Sequence, residues 1–404
     1  MTASGPVGSV GYGGTPQSER KLAPDLARGV MLLLIAMAYA GVYAGVAFGG
    51  RLPEGTSVAD TVARFVVVLV LDNRAFPMFA VLYGYGLAWM VARRRRAGAA
   101  DSEIRRLVRR RSLLLVAFGS VHALLVFPGE ILASYGLAGL VLGWLLFRSD
   151  RALSRTIAVL VPCYVVTVTA AMVALAAAAP DVGGYAVPGY TTAADWSMRL
   201  SGVPFTPIFI AVAYPLLLLV VLGFRAGRSG LLDDPSRHRP LLIRIAVGGI
   251  SISLLGALPA ALIAIDAVRP GIVSTGALLA LQVLTGVFGG AGYAAAFGLL
   301  ALRLDARRDP ITRAVSAVGQ RSLTFYLFNS VLVAVVLHHD LLAVGDRVDS
   351  IGALAVATAV WLVALTVAAW MDRTGRPGPV DALLRRLVSG RRAHDQRAVD
   401  QPRT

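Results

Sequence analysis

The chain has 404 residues, of which 56% are hydrophobic and 15% charged, and its mean hydropathy is +0.69. Soluble domains carry about 25% charged residues, so this composition argues against a soluble fold, and the absence of alternating apolar strand patterns argues against a β-barrel. The net charge of +16 would suit a nucleic-acid partner, but the basic residues cluster between apolar runs, where membrane orientation predicts them, so none is expected.

Residues 1–23 are rich in Gly, Ser and Pro without an apolar core, which predicts a flexible cytoplasmic tail and no signal peptide. Residues 389–404 form a second polar tail. Between them, 24–388 read as one all-α polytopic membrane domain. About 20 mostly apolar residues make a crossing helix. On that measure about ten transmembrane helices are expected, near 27–48, 74–92, 108–127, 130–147, 156–179, 205–224, 241–265, 272–302, 321–338 and 350–371. The amphipathic stretch 58–71 is expected either along the interface or as part of a span. Gly41, Gly45 and Gly49 suggest a packing ridge on the first span. The single cysteine, Cys163, excludes an internal disulfide.

With the N-terminus placed inside, 33 of the 39 basic residues fall in cytoplasmic segments. That asymmetry predicts an even number of spans with both termini cytoplasmic. A single lysine among 39 basic residues suggests a GC-rich bacterial genome, hence a multi-pass protein of the plasma membrane.

The stretch FGSVHALLVFPGEILASYG, 118–136, places His122 and Glu130 in an otherwise apolar helix–turn–helix. His122 lies roughly 9 Å below Pro128 by helix rise, at a depth close to that of Ser134 and Tyr135, so the four are expected to share one outward-facing pocket. Ionisable groups in a span are costly and mark functional sites. An imidazole can accept and return a proton, and Glu130 can orient it or contact a substrate. The plain alternative is a neutral His122 bonded to a carbonyl, with Glu130 wetted at the interface.

Other polar groups have two readings each. Asp72, Asn73 and Arg74, at the outer start of the second span, are substrate contacts or an interfacial cap. Arg28 is an inner anchor or a phosphate ligand. Gln320 and Arg321 open the ninth span on the inside. Tyr326 and Asn329 follow on one face, as substrate contacts or as helix–helix hydrogen bonds. His338, His339 and Asp340 lack an evident further ligand, so no metal site is predicted. Walker, HExxH and GxSxG motifs are absent.

Five segments in order resemble one family. They are DLARG (25–29), AFPMFAVLYGYG (75–86), RRRSLLLVAFGSVHALLVFPGEILASYGLAGL (109–140), VGQRSLTFYLFNS (318–330) and GPVDALLRRLV (378–388). The chain thereby resembles the YeiB-like family, a domain of unknown function (number 418), over about 24–388. That family is grouped with transmembrane acyltransferases. The resemblance implies acyl transfer from a cytoplasmic CoA ester, acetyl-CoA or another acyl-CoA, to a small-molecule, glycan or lipid acceptor on the far side. It makes His122 the acid/base and Glu130 its neighbour, in a position where aspartate is usual. Tyr39 stands where relatives carry Asn, and Tyr39, Tyr135 or Asn73 would serve a developing oxyanion. Arg109, Arg110 and Arg111 would hold CoA phosphates, although topology and anionic lipids account for them equally. Gln320 replaces an arginine, and Asp381-Ala382 replaces Glu-Trp. The rival reading is a proton-coupled transporter or flippase without covalent chemistry. A third is a non-catalytic membrane partner. A homodimer is allowed for by both.

Overall fold

The computed structural model describes residues 22–46, 55–178, 187–304 and 309–389, and every regular element among them is helical. The tails expected at 1–23 and 389–404 lie, but for their innermost residues, outside this set, as does Gly49. In chain order the helices are α1 (Leu22–Tyr43), α2 (Val58–Val66), α3 (Ala75–Arg96), α4 (Asp101–Leu125), α5 (Leu132–Leu142), α6 (Asp150–Ala178), α7 (Ala193–Ala213), α8 (Leu216–Arg228), α9 (Arg239–Ala264), α10 (Ile272–Leu304), α11 (Pro310–Gln320), α12 (Ser322–Leu337), α13 (Ser350–Arg373) and α14 (Pro379–Ser389).

Among the described residues, six helical stretches are long and apolar enough to cross a membrane, or up to eight if each bent pair is one span. They carry lipid-type surfaces. Val159, Val166, Leu255 and Phe205 are all more than half exposed, which is unfavourable in water and ordinary in hydrocarbon. Inside, α9 packs on α10, α3 on α8, α4 on α5, and α1 against α11, α12 and α13.

Three spans are broken. Tyr214 precedes Pro215, a pairing that disfavours helix. Tyr214 is extended (φ −127°, ψ 148°), and α7 and α8 meet at 67°. The span expected at 205–224 is therefore two helices. A second break, of 91°, separates α11 from α12 at Arg321. The third lies at Asp72–Arg74, where Asn73 adopts φ 56°, a conformation Asn tolerates better than most residues.

This third break bears on two expectations. The stretch 58–71 does not lie with its polar face to water. Its valines, Val58, Val62, Val66 and Val70, are the exposed face, while Asp60 and Arg64 are buried. α2 continues through a π-helical turn, Val67–Leu71, to the break and on into α3. Arg74 is not at the outer start of a span either. It is fully buried and donates to the carbonyl oxygens of Asp72 and of Ser253 (2.6 Å) on α9. Ser253 lies 11 residues from the end of α9, about 16 Å in by helix rise. The break's freed carbonyls are met by side chains: Tyr293 donates to Val70 O (2.8 Å) and Gln282 to Val68 O (3.3 Å). In hydrocarbon such groups must be satisfied internally.

The glycine ridge on the first span is also corrected. α1 ends at Tyr43, and Gly45 lies beyond it with φ 66°.

Candidate functional site

Glu130 and His122 are brought together by the turn between α4 and α5. The first N–H groups of a helix lack intrahelical partners. Glu130 takes two of them, accepting from Leu132 N–H (2.7 Å) and Ala133 N–H (2.6 Å) at the start of α5. This pins the carboxylate against α4. Gly119, one turn before His122, makes the approach possible, since a Cβ there would overlap Ala133 N and Glu130 Oε1.

His122 is 3% exposed and Glu130 1%. His122 Nδ1 lies 3.8 Å from Glu130 Oε2, a charge contact and not a hydrogen bond. Nε2 lies 2.8 Å from Ser330 Oγ on α12. The tautomer matched to this field carries its proton on Nδ1, toward the carboxylate. Nε2 is then free to accept the Ser330 O–H.

α12 supplies a second group. Tyr326 is one turn before Ser330, on the same face, and its ring lies 5.4 Å from the imidazole. Its hydroxyl is bonded to that of Tyr39 on α1. Tyr39 in turn packs on Phe127 of the turn, centroids 4.4 Å apart. Asn329 is buried as well. Its Nδ2 reaches Leu32 O at 3.5 Å, and its Oδ1 has no partner among the described residues.

The expected pocket is thus an enclosed cluster. Ser134 is buried, and its hydroxyl has no partner among the described residues. Tyr135 turns toward α3, where it stacks on Phe76, Phe79 and Tyr83 and donates to Phe76 O (3.3 Å). A roof lies over the end of α4. Arg199 of α7, fully buried, donates to Gly189 O (2.8 Å) and Leu124 O (3.3 Å), and Tyr190 donates to Leu125 O (3.0 Å).

The remaining residues are dispersed. Asp72, Asn73 and Arg74 belong to the α2–α3 break. Arg28 pairs with Asp25 at 3.6 Å. Arg109 and Arg110 are exposed and Arg111 half-buried, three turns below His122 on α4. Arg321 is occupied: it donates to Arg376 O (3.0 Å) and Ala317 O (3.2 Å) and sits 3.4 Å from Asp372. Gln320, half-buried, precedes it at the break. Asp381 accepts from Thr324 Oγ1 (2.7 Å) and Thr324 N–H (3.0 Å), tying α14 to the first turn of α12.

His338, His339 and Asp340 offer ligand atoms within 4.8 Å of one another. His338 Nδ1, however, accepts from Asp340 N–H (3.0 Å), and Nε2 donates to Pro188 O (3.1 Å). A metal would have to displace one of these bonds. A cleft of about 510 Å³, lined by Leu34, Met37, Val70, Tyr293 and Phe297 among others, is apolar and includes none of the cluster.

Residues 226–391 match the family described as "Protein of unknown function (DUF418)". The C-terminal part of the chain, from the end of α8 onward, is thus similar to the DUF418 family. The matched stretch begins in α8 and contains Tyr326, Asn329 and Ser330. The chain is 27% identical over 403 residues to the "Uncharacterized protein YeiB" of Escherichia coli (strain K12), covering 92% of this chain and 96% of that one. It is 25% identical over 358 residues to the "Uncharacterized protein YxaH" of Bacillus subtilis (strain 168), covering 81% and 82%. Both alignments are long enough to include the α4–α5 hairpin, which lies outside the family match.

Ser330 is the site residue that the sequence reading passed over. It closes the segment VGQRSLTFYLFNS, which was noted for its family pattern and not for its hydroxyl.

Proposed function

We propose that this protein is a multi-pass membrane acyltransferase in which His122 is the acid/base, moving an acyl group from a cytoplasmic acyl-CoA to an acceptor on the outer side. The observation that carries the reading is the buried imidazole held between a carboxylate and a hydroxyl, with Nδ1 3.8 Å from Glu130 and Nε2 2.8 Å from Ser330. A general base needs a hydroxyl within about 2.6–3.2 Å and a group that fixes its tautomer. Ser330 of α12 supplies the hydroxyl, and Glu130 of the α4–α5 turn faces Nδ1 as a charge contact. The Tyr39–Tyr326 pair adds an oxyanion donor. Two hydroxyls sharing one hydrogen bond leave one proton to donate, and the Tyr326 ring lies 5.4 Å from the imidazole. Enclosure of the cluster means that substrate entry includes a conformational step. The acyl-CoA would approach from the side of Arg109, Arg110 and Arg111. Ten spans, cytoplasmic termini and a plasma-membrane location form part of the same proposal.

The test is release of CoA from a panel of acyl-CoAs by the purified protein in lipid nanodiscs, with hydroxyl and amine acceptors. Loss of release in His122→Ala with unchanged thermal unfolding supports the reading. No release by the wild type with any pair rejects it.

A second reading, proton-coupled transport, is favoured by the broken helices α2–α3 and α7–α8, whose ends meet where Phe76 packs on Tyr214, centroids 5.9 Å apart. Transporters place substrate sites at such interruptions. Substrate movement driven by a pH gradient in vesicles lacking CoA would favour it.

A further inference from the structure

We propose that Ser330 is the nucleophile of a two-step reaction and carries the acyl group as an ester between donor and acceptor. The inference rests on the acyltransferase reading and adds the covalent intermediate.

The geometry points to it in three ways. First, the hydroxyl held by His122 Nε2 belongs to the protein. Ser330 is 1% exposed and sits 2.8 Å from the nitrogen, which is the relation of an activated serine to its base. Second, the third member is present. Glu130 faces the other ring nitrogen, so the order hydroxyl–imidazole–carboxylate runs Ser330, His122, Glu130. The carboxylate cannot swing away, because both its oxygens are bonded to the first turn of α5. Third, donors lie beside the attacking atom. Tyr326 is one turn away on the same helix face, and its hydroxyl is bonded to that of Tyr39. Water is excluded from all of these groups, and an ester intermediate requires that exclusion.

The steps balance. Ser330 Oγ bonds to the carbonyl carbon of the thioester while its proton passes to His122 Nε2. The C–S bond breaks, and the leaving thiolate takes that proton to depart as the thiol of CoA. The acceptor hydroxyl or amine then attacks the ester carbon and gives its proton to Nε2. The bond to Ser330 Oγ breaks, and the oxygen recovers the proton. Nothing is oxidised or reduced.

Nothing else in the described residues offers this arrangement. The Asp72–Arg74 break and the Arg199 roof are both tied up in backbone carbonyls, and His338 has both nitrogens engaged.

The experiment uses the full chain in nanodiscs with carbonyl-labelled acetyl-CoA and no acceptor, quenched in acid and digested. The expected result is one acetyl group on the Ser330 peptide in the wild type and none in Ser330→Ala. Turnover in Ser330→Ala falls by up to about 10⁶-fold, as for loss of a serine nucleophile. Ser330→Cys should accept the label as a thioester that neutral hydroxylamine releases, which decides the matter if the alanine variant unfolds. Turnover of Ser330→Ala within a few-fold of wild type, without label on the peptide, overturns the covalent step and leaves His122-catalysed direct transfer standing. If the wild type consumes no acyl-CoA with any acceptor, the acyltransferase reading fails and the intermediate with it.

Discussion

Tyr39 and Tyr326 satisfy each other: their hydroxyls are bonded, 287 residues apart in sequence, where both rings are almost wholly buried. The pair ties α1 to α12 beside the imidazole. Removing the Tyr326 hydroxyl strands that of Tyr39, while Tyr326 also bonds the Ile131 backbone. A buried polar group left unpaired costs about 1–3 kcal/mol, whereas replacing both partners by apolar groups of the same shape is close to neutral. Tyr326→Phe should destabilise by about 1–3 kcal/mol and Tyr39→Phe by less, and the double variant by less than the sum. Unfolding in detergent measures the cycle. Additive losses would mean that the two hydroxyls do not depend on each other.

Gly119 and Gly248 make a controlled comparison within helices. A methyl group at 119 would press on Ala133 N and Glu130 Oε1, while at 248 it meets nothing within 4 Å. Overpacking a tight contact costs about 1–3 kcal/mol. Filling an open helical glycine gains about 0.5–1 kcal/mol. Gly119→Ala should therefore lower the unfolding temperature and displace Glu130, and Gly248→Ala should raise it. Equal effects of the two would remove the packing account of Gly119.

Arg74 holds a broken helix closed with two charge-assisted bonds to carbonyls, on Asp72 and Ser253. Its loss leaves both acceptors buried without water. Each is worth about 1–3 kcal/mol, so Arg74→Met should be among the most destabilising single changes in the protein. Arg74→Lys keeps the charge but not the planar fork that spans two acceptors, and should rescue only part. Full stability in Arg74→Met, read by thermal unfolding, would show that the break needs no cation.

The α4–α5 half of the site was legible in the sequence because it is local. His122 and Glu130 are eight residues apart across one turn, and each announces itself by the cost of an ionisable group in apolar surroundings. Ser330 announces nothing. A serine in a helix can bond its own preceding turn, so its presence in α12 carries no such cost, and its 208-residue separation from His122 is beyond any local pattern. The breaks divide in the same way. Pro215 marks the α7–α8 break openly. Arg74 was misread because a charged residue at a helix end resembles a boundary at the membrane surface. Only the carbonyls of Asp72 and Ser253 show it to be internal. At Arg321 the sequence shows a cation at a helix end but not the 91° bend, where it donates to the carbonyls of Ala317 and Arg376.

Sidedness decides which compartment the His122 end of the bundle faces. The end of α8, the segment after it and the start of α9 together hold Arg225, Arg228, Arg237, Arg239 and Arg244. The turn between α9 and α10 holds only Arg269, paired with Asp266. Arginine excess marks the cytoplasmic side. The poor side is also the side of His122. Gly276, at the start of α10, packs on Val173 near the end of α6, and the chain beyond α6 returns through Tyr190 to cover Leu125 at the end of α4. In a Cys163→Ser background, Ser229→Cys and Val268→Cys each give a single thiol at an exposed position. A membrane-impermeant maleimide added to intact bacterial cells should label Val268→Cys at once and Ser229→Cys only after permeabilisation. The reverse pattern would invert the bundle. It would put the arginine-rich ends outside and the Ser330–His122–Glu130 cluster nearest the cytoplasm, leaving the proposed direction of acyl transfer untenable.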